Sequence, residues 1–157
     1  IRLGRSLERA DMTTRIVDVG SGNLLPELSN HEAQSESNEP YENTLWMNVL
    51  RSLSAHQMYR QHVKNRINGE DVVAFLLQDE KFPRAVTHNL ITLTKVLKVL
   101  PNSEKTFAQV EKTLRFVRKG KIEKLLHNGL FQYIDDLQVE IAKIHQKIAR
   151  TWFLPNK

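Results

Sequence analysis

The chain has 157 residues and a mass of 18.2 kDa, the length of one ordinary domain able to bury roughly 70% of its unfolded surface. Its 40% apolar and 26% charged content is that of a globular protein, and 23 Lys and Arg against 18 Asp and Glu leave a net charge of +5. Without cysteine there is no disulfide, thiolate metal site or cysteine nucleophile; six Gly and five Pro are too few for the turns of an all-β chain.

Leu3, Leu7, Ala10, Thr14 and Val17 recur at helical spacing and predict a first helix over residues 1–19. Gly20-Ser21-Gly22-Asn23 is expected to stop it, because glycine accepts the left-handed geometry of a C-terminal cap. Residues 20–43 are expected to form a mobile acidic loop: between Ser21 and Glu42 lie five glutamates, two prolines and no Lys or Arg. Charge is unevenly placed, since residues 1–42 carry four basic and eight acidic side chains while 43–157 carry nineteen and ten.

A second helix is predicted over Leu45–Val63, capped by Asn43 or Thr44, with Trp46, Val49, Leu50, Leu53 and Met58 inward. Asn68-Gly69 breaks the chain, and Glu70 and Asp71 open a short helix through Val72–Gln78. The apolar run Val72–Leu77 is far too short to span a bilayer. Pro83 is expected at the first position of a helix lasting to about Val99. Ser103 should cap the next helix, which buries Phe107, Val110, Leu114 and Val117 and ends at Gly120. The last and longest helix is predicted over Lys121–Trp152, kinked at Asn128-Gly129. The expected fold is all-α: an antiparallel bundle of about six helices with one long C-terminal helix, forming a single domain over 1–157.

On the first helix, Gly4, Glu8, Asp11, Arg15 and Asp18 fall within a sector of about 80° at about 100° per residue. Leu3, Leu7, Thr14 and Val17 flank that sector on one side, and Met12, Ile16 and Val19 on the other. A charged strip between two apolar strips has three readings: exposed helix ion pairs, a buried ion cluster that fixes helix register, or a site for a ligand or partner. Gly4 would admit close approach of a ligand or a second backbone.

The segment Leu3-Gly4-Arg5-Ser6-Leu7-Glu8-Arg9-Ala10-Asp11-Met12-Thr13-Thr14-Arg15 resembles the motif of the bacterial alpha-E family, named for its helical fold and Glu-Arg pair. The similarity continues through Leu50–Ala55 with Tyr59-Arg60, Val72–Leu77, Phe82-Pro83-Arg84 and the closing helix. Gly4, Arg5, Glu8, Arg9, Asp11 and Arg15 match the motif, while Ser6 stands where an aromatic residue is usual. The resemblance implies a bacterial cytoplasmic protein in which this unit is the second of two tandem copies. It also implies partners: the sister repeat, and ATP-grasp or transglutaminase-like proteins of a peptide synthesis or modification system. Ile1 opens directly on a helical pattern, which agrees with a fragment of a longer chain, and no secretory leader is legible.

Other constellations are weaker. None of the six histidines follows a carboxylate by three residues, and the pair Glu123/His127 is isolated, so no metal site is expected. No nucleophile elbow or phosphate-binding loop is legible, so neither a catalytic residue nor a cofactor is assigned. Lys112, Arg115 and Lys119 share a face in a stretch of nine basic and three acidic residues from Lys95 to Lys124, a pattern that a nucleic-acid binder would show. Trp46, Trp152 and Phe153 are expected as core or core-edge anchors. The favoured expectation is therefore a non-enzymatic interaction module. The alternatives are a ligand-binding or catalytic subunit using Glu8, Arg9, Asp11 and Arg15, and a nucleic-acid-binding helical protein. No membrane association is expected.

Overall fold

The computed structural model describes residues 1–29 and 39–154. Among them are eight helices and no strand: α1 (Arg2–Ser29), α2 (Glu39–Ser52), α3 (His56–His62), α4 (Gly69–Gln78), α5 (Val86–Leu97), α6 (Glu104–Lys119), α7 (Ile122–His127) and α8 (Leu130–Trp152). The all-α expectation and the long C-terminal helix agree with this architecture. The helix count rises from six to eight because two expected helices are each divided by a residue with positive φ.

The first division lies at Ser54, with φ 52°. The Ser54 N–H donates to Arg51 O at 2.9 Å and the Ala55 N–H to Leu50 O at 2.7 Å, the paired bonds of a Schellman ending. This ending separates α2 from α3 without a glycine, which is why hydrophobic periodicity alone runs straight through it. The second lies at Gly129, with φ 97°, so the chain is interrupted there rather than kinked.

Two glycines have a role other than the expected one. Helix α1 does not stop at Gly20 but continues to Ser29. A Cβ on Gly20 would lie 2.5 Å from Val49 Cγ2, so this glycine serves the close approach of α1 and α2. Residues 20–29 and 39–43 of the expected loop are therefore helical, and residues 30–38 lie outside the described residues. Gly120 does end α6, but at φ −61°; a Cβ there would lie 2.5 Å from the Tyr133 hydroxyl. Close packing again selects the glycine.

Helix α4 begins at Gly69 with Glu70 and Asp71 in its first turn, close to the expected start, and the Asn68 side chain caps it by accepting the Asp71 N–H at 2.8 Å. Helix α5 begins at Val86, not Pro83, because residues 79–85 form a tied turn. Asp79 Oδ1 accepts the N–H groups of Lys81 and Phe82, and Asn89 Nδ2 donates to Pro83 O and Ala85 O. Ser103 occupies the cap position of α6, yet its hydroxyl makes no cap bond.

Helices α1, α5, α6 and α8 form a ring, each packed on the next, and α4 lies against α1, α2, α5, α6 and α7. Helix α6 runs antiparallel to α8: Thr106 meets Thr151, Gln109 meets Glu140, and Phe116 stacks on Tyr133. Helix α8 contributes Leu130, Tyr133, Ile134, Leu137, Ile141, Ile144 and Ile148 to the core at three- and four-residue steps. Each large apolar side chain so buried contributes roughly 1.5–3 kcal/mol. Helix α1 offers a face of mostly small residues: Ser6, Ala10, Thr13, Thr14, Val17 and Ser21 are buried alongside Leu7. Over residues 2–22 the core therefore occupies one side of α1, and the other side chains of that stretch face outward or lie at the boundary.

Candidate functional site

That division decides between the readings of the charged strip. Gly4, Glu8 and Arg15 are exposed, and Asp11 and Asp18 lie half-buried beside the core face. A buried ion cluster is therefore absent from this strip. Arg15 Nε donates to Asp11 Oδ2 at 2.7 Å, one turn back on the same helix, and this bond raises the guanidinium pKa above its ordinary value. A pair so exposed adds little to stability.

Of the two flanking apolar strips, the one containing Leu7, Thr14 and Val17 is core. The other faces outward: Met12 is 49% and Val19 is 65% exposed, and Ile16 is half-buried. Helix α1 thus presents charged and apolar side chains together on a partly exposed surface that α2 and α8 border.

Two clefts border this surface. The first, of about 220 Å³, is lined by Arg5, Glu8, Arg9, Met12 and Thr13 of α1, by Leu53, and by Arg84 of the turn before α5. The second, of about 430 Å³, lies between Gly4, Leu7, Glu8 and Asp11 on α1 and Ile141, Ala142, His145 and Gln146 on α8. Glu8 stands on the ridge between them. No atom outside the adjoining backbone comes within 4 Å of a Cβ placed on Gly4, so the chain itself does not use the space that glycine leaves.

The structure brings five of the six motif residues, Gly4, Arg5, Glu8, Arg9 and Asp11, to the two clefts. It places Arg15 further along, beside Ile16, Val19 and Gly20 in a third depression against α2. Sequence reasoning left out Arg84 and His145. Arg84 carried a signal, standing in the Phe82-Pro83-Arg84 segment of the family resemblance. His145 carried none, because its place opposite Gly4 and Glu8 depends on how α8 crosses α1.

The turn bearing Arg84 is fixed from several sides. The buried Thr13 hydroxyl donates to Arg84 O at 2.7 Å across the α1–turn junction. Phe82 is buried and stacks on Phe75 with ring centroids 4.9 Å apart. Desolvation pushes the Asp79 carboxyl up, but hydrogen bonds from Phe82 N–H, His62 and Lys81 N–H outweigh it and hold the pKa below the ordinary carboxylate value.

The basic face of α6 is partly engaged in ion pairs. Lys112 and Lys143 both bind Glu140, at 3.2 and 2.7 Å, and Arg118 binds Glu80 at 2.6 Å. Phe116 is stacked on Tyr133 at 4.8 Å rather than free for a base. Among the described residues no three His, Asp or Glu side chains stand close enough to hold a metal ion. Nor is any described helix long and apolar enough to cross a membrane.

The sequence model of one protein family, Alpha-E, described as "a predicted alpha-helical domain with a conserved ER motif", matches residues 1–153. Glu8-Arg9 is the sole Glu-Arg dipeptide in the chain. No curated protein and no solved structure matches the chain.

Proposed function

The chain belongs to the Alpha-E family, and from that premise we propose that it is a non-enzymatic helical interaction module of the bacterial cytoplasm. Its role in this reading is that of an accessory component in an ATP-grasp- or transglutaminase-associated system of peptide synthesis or modification. It forms one helical domain, the second of a tandem pair, and the outer face of α1 receives the partner.

The observation that carries the reading is the outward face of α1, where Glu8 and Arg9 stand exposed beside the exposed apolar side chains Met12 and Val19. Protein interfaces combine apolar contact with arginine in this way, whereas a charge kept for the core would be buried and paired. The experiment is affinity capture of the full-length protein from its native bacterium, with Glu8→Gln and Met12→Asp as matched variants. Capture of an ATP-grasp or transglutaminase-like protein by the wild type, lost in both variants at unchanged melting temperature, supports the reading. Equal capture by wild type and variants, or no partner at all, refutes it.

A second reading, in which the same side chains bind a small ligand, is favoured by Glu8 lining both clefts. It predicts loss of activity in Glu8→Gln with no change in partner capture.

A further inference from the structure

We propose that the cleft framed by Arg5, Arg9 and Arg84 receives a carboxylate carried on an acidic peptide segment; the inference rests on the reading of α1 as a partner-binding face. Three arginines, Arg5, Arg9 and Arg84, line one concavity of about 220 Å³, with Glu8 the one carboxylate residue among its lining. None of the three has an ion-pair or hydrogen-bond partner for its side chain among the described residues. Two arginines elsewhere are ion-paired, Arg15 with Asp11 and Arg118 with Glu80; what sets Arg5, Arg9 and Arg84 apart is that they line one concavity together. Like charges gathered at a concave, partly apolar surface repel one another, and an entering anion relieves that repulsion.

The arrangement is set before anything binds. Arg5 and Arg9 are one turn apart on α1 and share a side of it. Arg84 comes from a different element, and its backbone is tied to α1 by the buried Thr13 hydroxyl at 2.7 Å. Asp79, Asn89 and the buried ring of Phe82 hold the rest of that turn. The backbone that carries the three arginines is thus in place beforehand, and ordering their side chains is the conformational cost that remains on binding.

The lining selects among anions. A guanidinium fork suits carboxylate and phosphate alike. Glu8 on the rim repels a dianion more strongly than a monoanion, and its carboxylate can accept a backbone N–H beside the bound group. Met12 and Leu53 supply an apolar wall for the methylenes that carry a carboxylate in an acidic side chain. The cleft is smaller than the roughly 300–1,000 Å³ that pockets for drug-sized ligands occupy, which suits one side chain rather than a nucleotide.

The test is an NMR titration of the full-length protein with the peptide Gly-Glu-Glu-Gly, its counterpart Gly-Gln-Gln-Gly, and inorganic phosphate, at low and physiological salt. The expected result is saturable binding of the acidic peptide that weakens at least tenfold in Arg9→Ala and in Arg84→Ala. Arg66→Ala, which removes the same charge from an exposed position elsewhere, keeps the wild-type affinity. Melting curves confirm that each variant is folded. No saturable binding of the acidic peptide, equal binding of the Gln peptide, or affinity unchanged in both cleft variants overturns the proposal. Phosphate binding as tightly as the acidic peptide also overturns it, in favour of a phosphate site. Partner capture that persists while the acidic peptide fails to bind refutes this inference alone; peptide binding without any captured partner refutes the interaction reading and leaves the cleft assignment standing.

Discussion

Replacing Asp79 by Ala removes the side chain that organises the turn carrying Arg84. Its Oδ1 accepts two backbone N–H groups, from Lys81 at 2.8 Å and Phe82 at 2.6 Å, and its Oδ2 lies 2.9 Å from His62 Nδ1. The Lys81 amide belongs to an exposed residue and regains water on substitution, so its loss costs little. The Phe82 amide belongs to a buried residue, and a hydrogen bond from a backbone donor to a carboxylate is worth roughly 1.5–3 kcal/mol. The half-exposed histidine pair adds less than about 1 kcal/mol. The expected loss for Asp79→Ala at neutral pH is therefore about 2 kcal/mol, or about 4–8 °C in melting temperature for a chain of this size. The pH dependence follows from the lowered carboxyl pKa. A carboxylate whose folded pKa is depressed stabilises above its unfolded pKa, near 4, and that stability disappears as pH falls through the folded value. Urea unfolding at several pH values is the assay. Wild type and Asp79→Ala should differ fully at pH 7 and converge in acid. A difference below about 0.5 kcal/mol at pH 7, or one that persists unchanged at pH 2, would refute the assignment of Asp79 as the turn's organising group.

Gly20→Ala should destabilise by about 1–3 kcal/mol in chemical unfolding, because the new Cβ meets the β-branched Val49 at 2.5 Å and must displace it or spread α1 from α2. Gly22→Ala, two residues along the same helix with nothing within 4 Å, should stabilise by about 0.5–1 kcal/mol; equal effects at the two positions would contradict the packing explanation. The buried Tyr59 hydroxyl makes no well-aligned hydrogen bond and only a weak interaction with the Asn68 backbone, so Tyr59→Phe should change stability by no more than about 1 kcal/mol in either direction. A loss above 1 kcal/mol on that substitution would show that the hydroxyl has a partner.

The apolar periodicity of α8 and the acidic first turn of α4 were legible because each rests on local rules: three- and four-residue spacing, and carboxylates at the positive end of a helix. The endings at Ser54 and the continuation through Gly20 were not. Ser54 adopts a left-handed conformation that serine seldom takes, and the run from Leu45 to Val63 carries no glycine or proline to mark it. Gly20 reads as a helix stop only when Val49, far along the chain, is left out of account. At the site, the grouping of Gly4, Glu8, Asp11 and Arg15 followed from helical geometry, whereas Arg5 and Arg9 entered through the family resemblance. Their exposure did not follow, because a charged strip bounded by apolar residues on both sides fits a buried cluster and a docking face equally well. What separates the two is which strip meets α5 and α8, and that is a property of the packed bundle. Arg84 could join the cleft only through the Thr13 contact across 71 positions of sequence.

The most direct test of the account is the unfolding free energy of the double variant Glu8→Gln/Arg9→Ala in urea, beside the wild type. Side chains that project from the outer face of α1 leave the core intact, so the account predicts a change within about 0.5 kcal/mol. A loss of 2 kcal/mol or more would mean that the Glu-Arg pair holds the bundle together, and the docking face would then be a consequence of folding rather than a site.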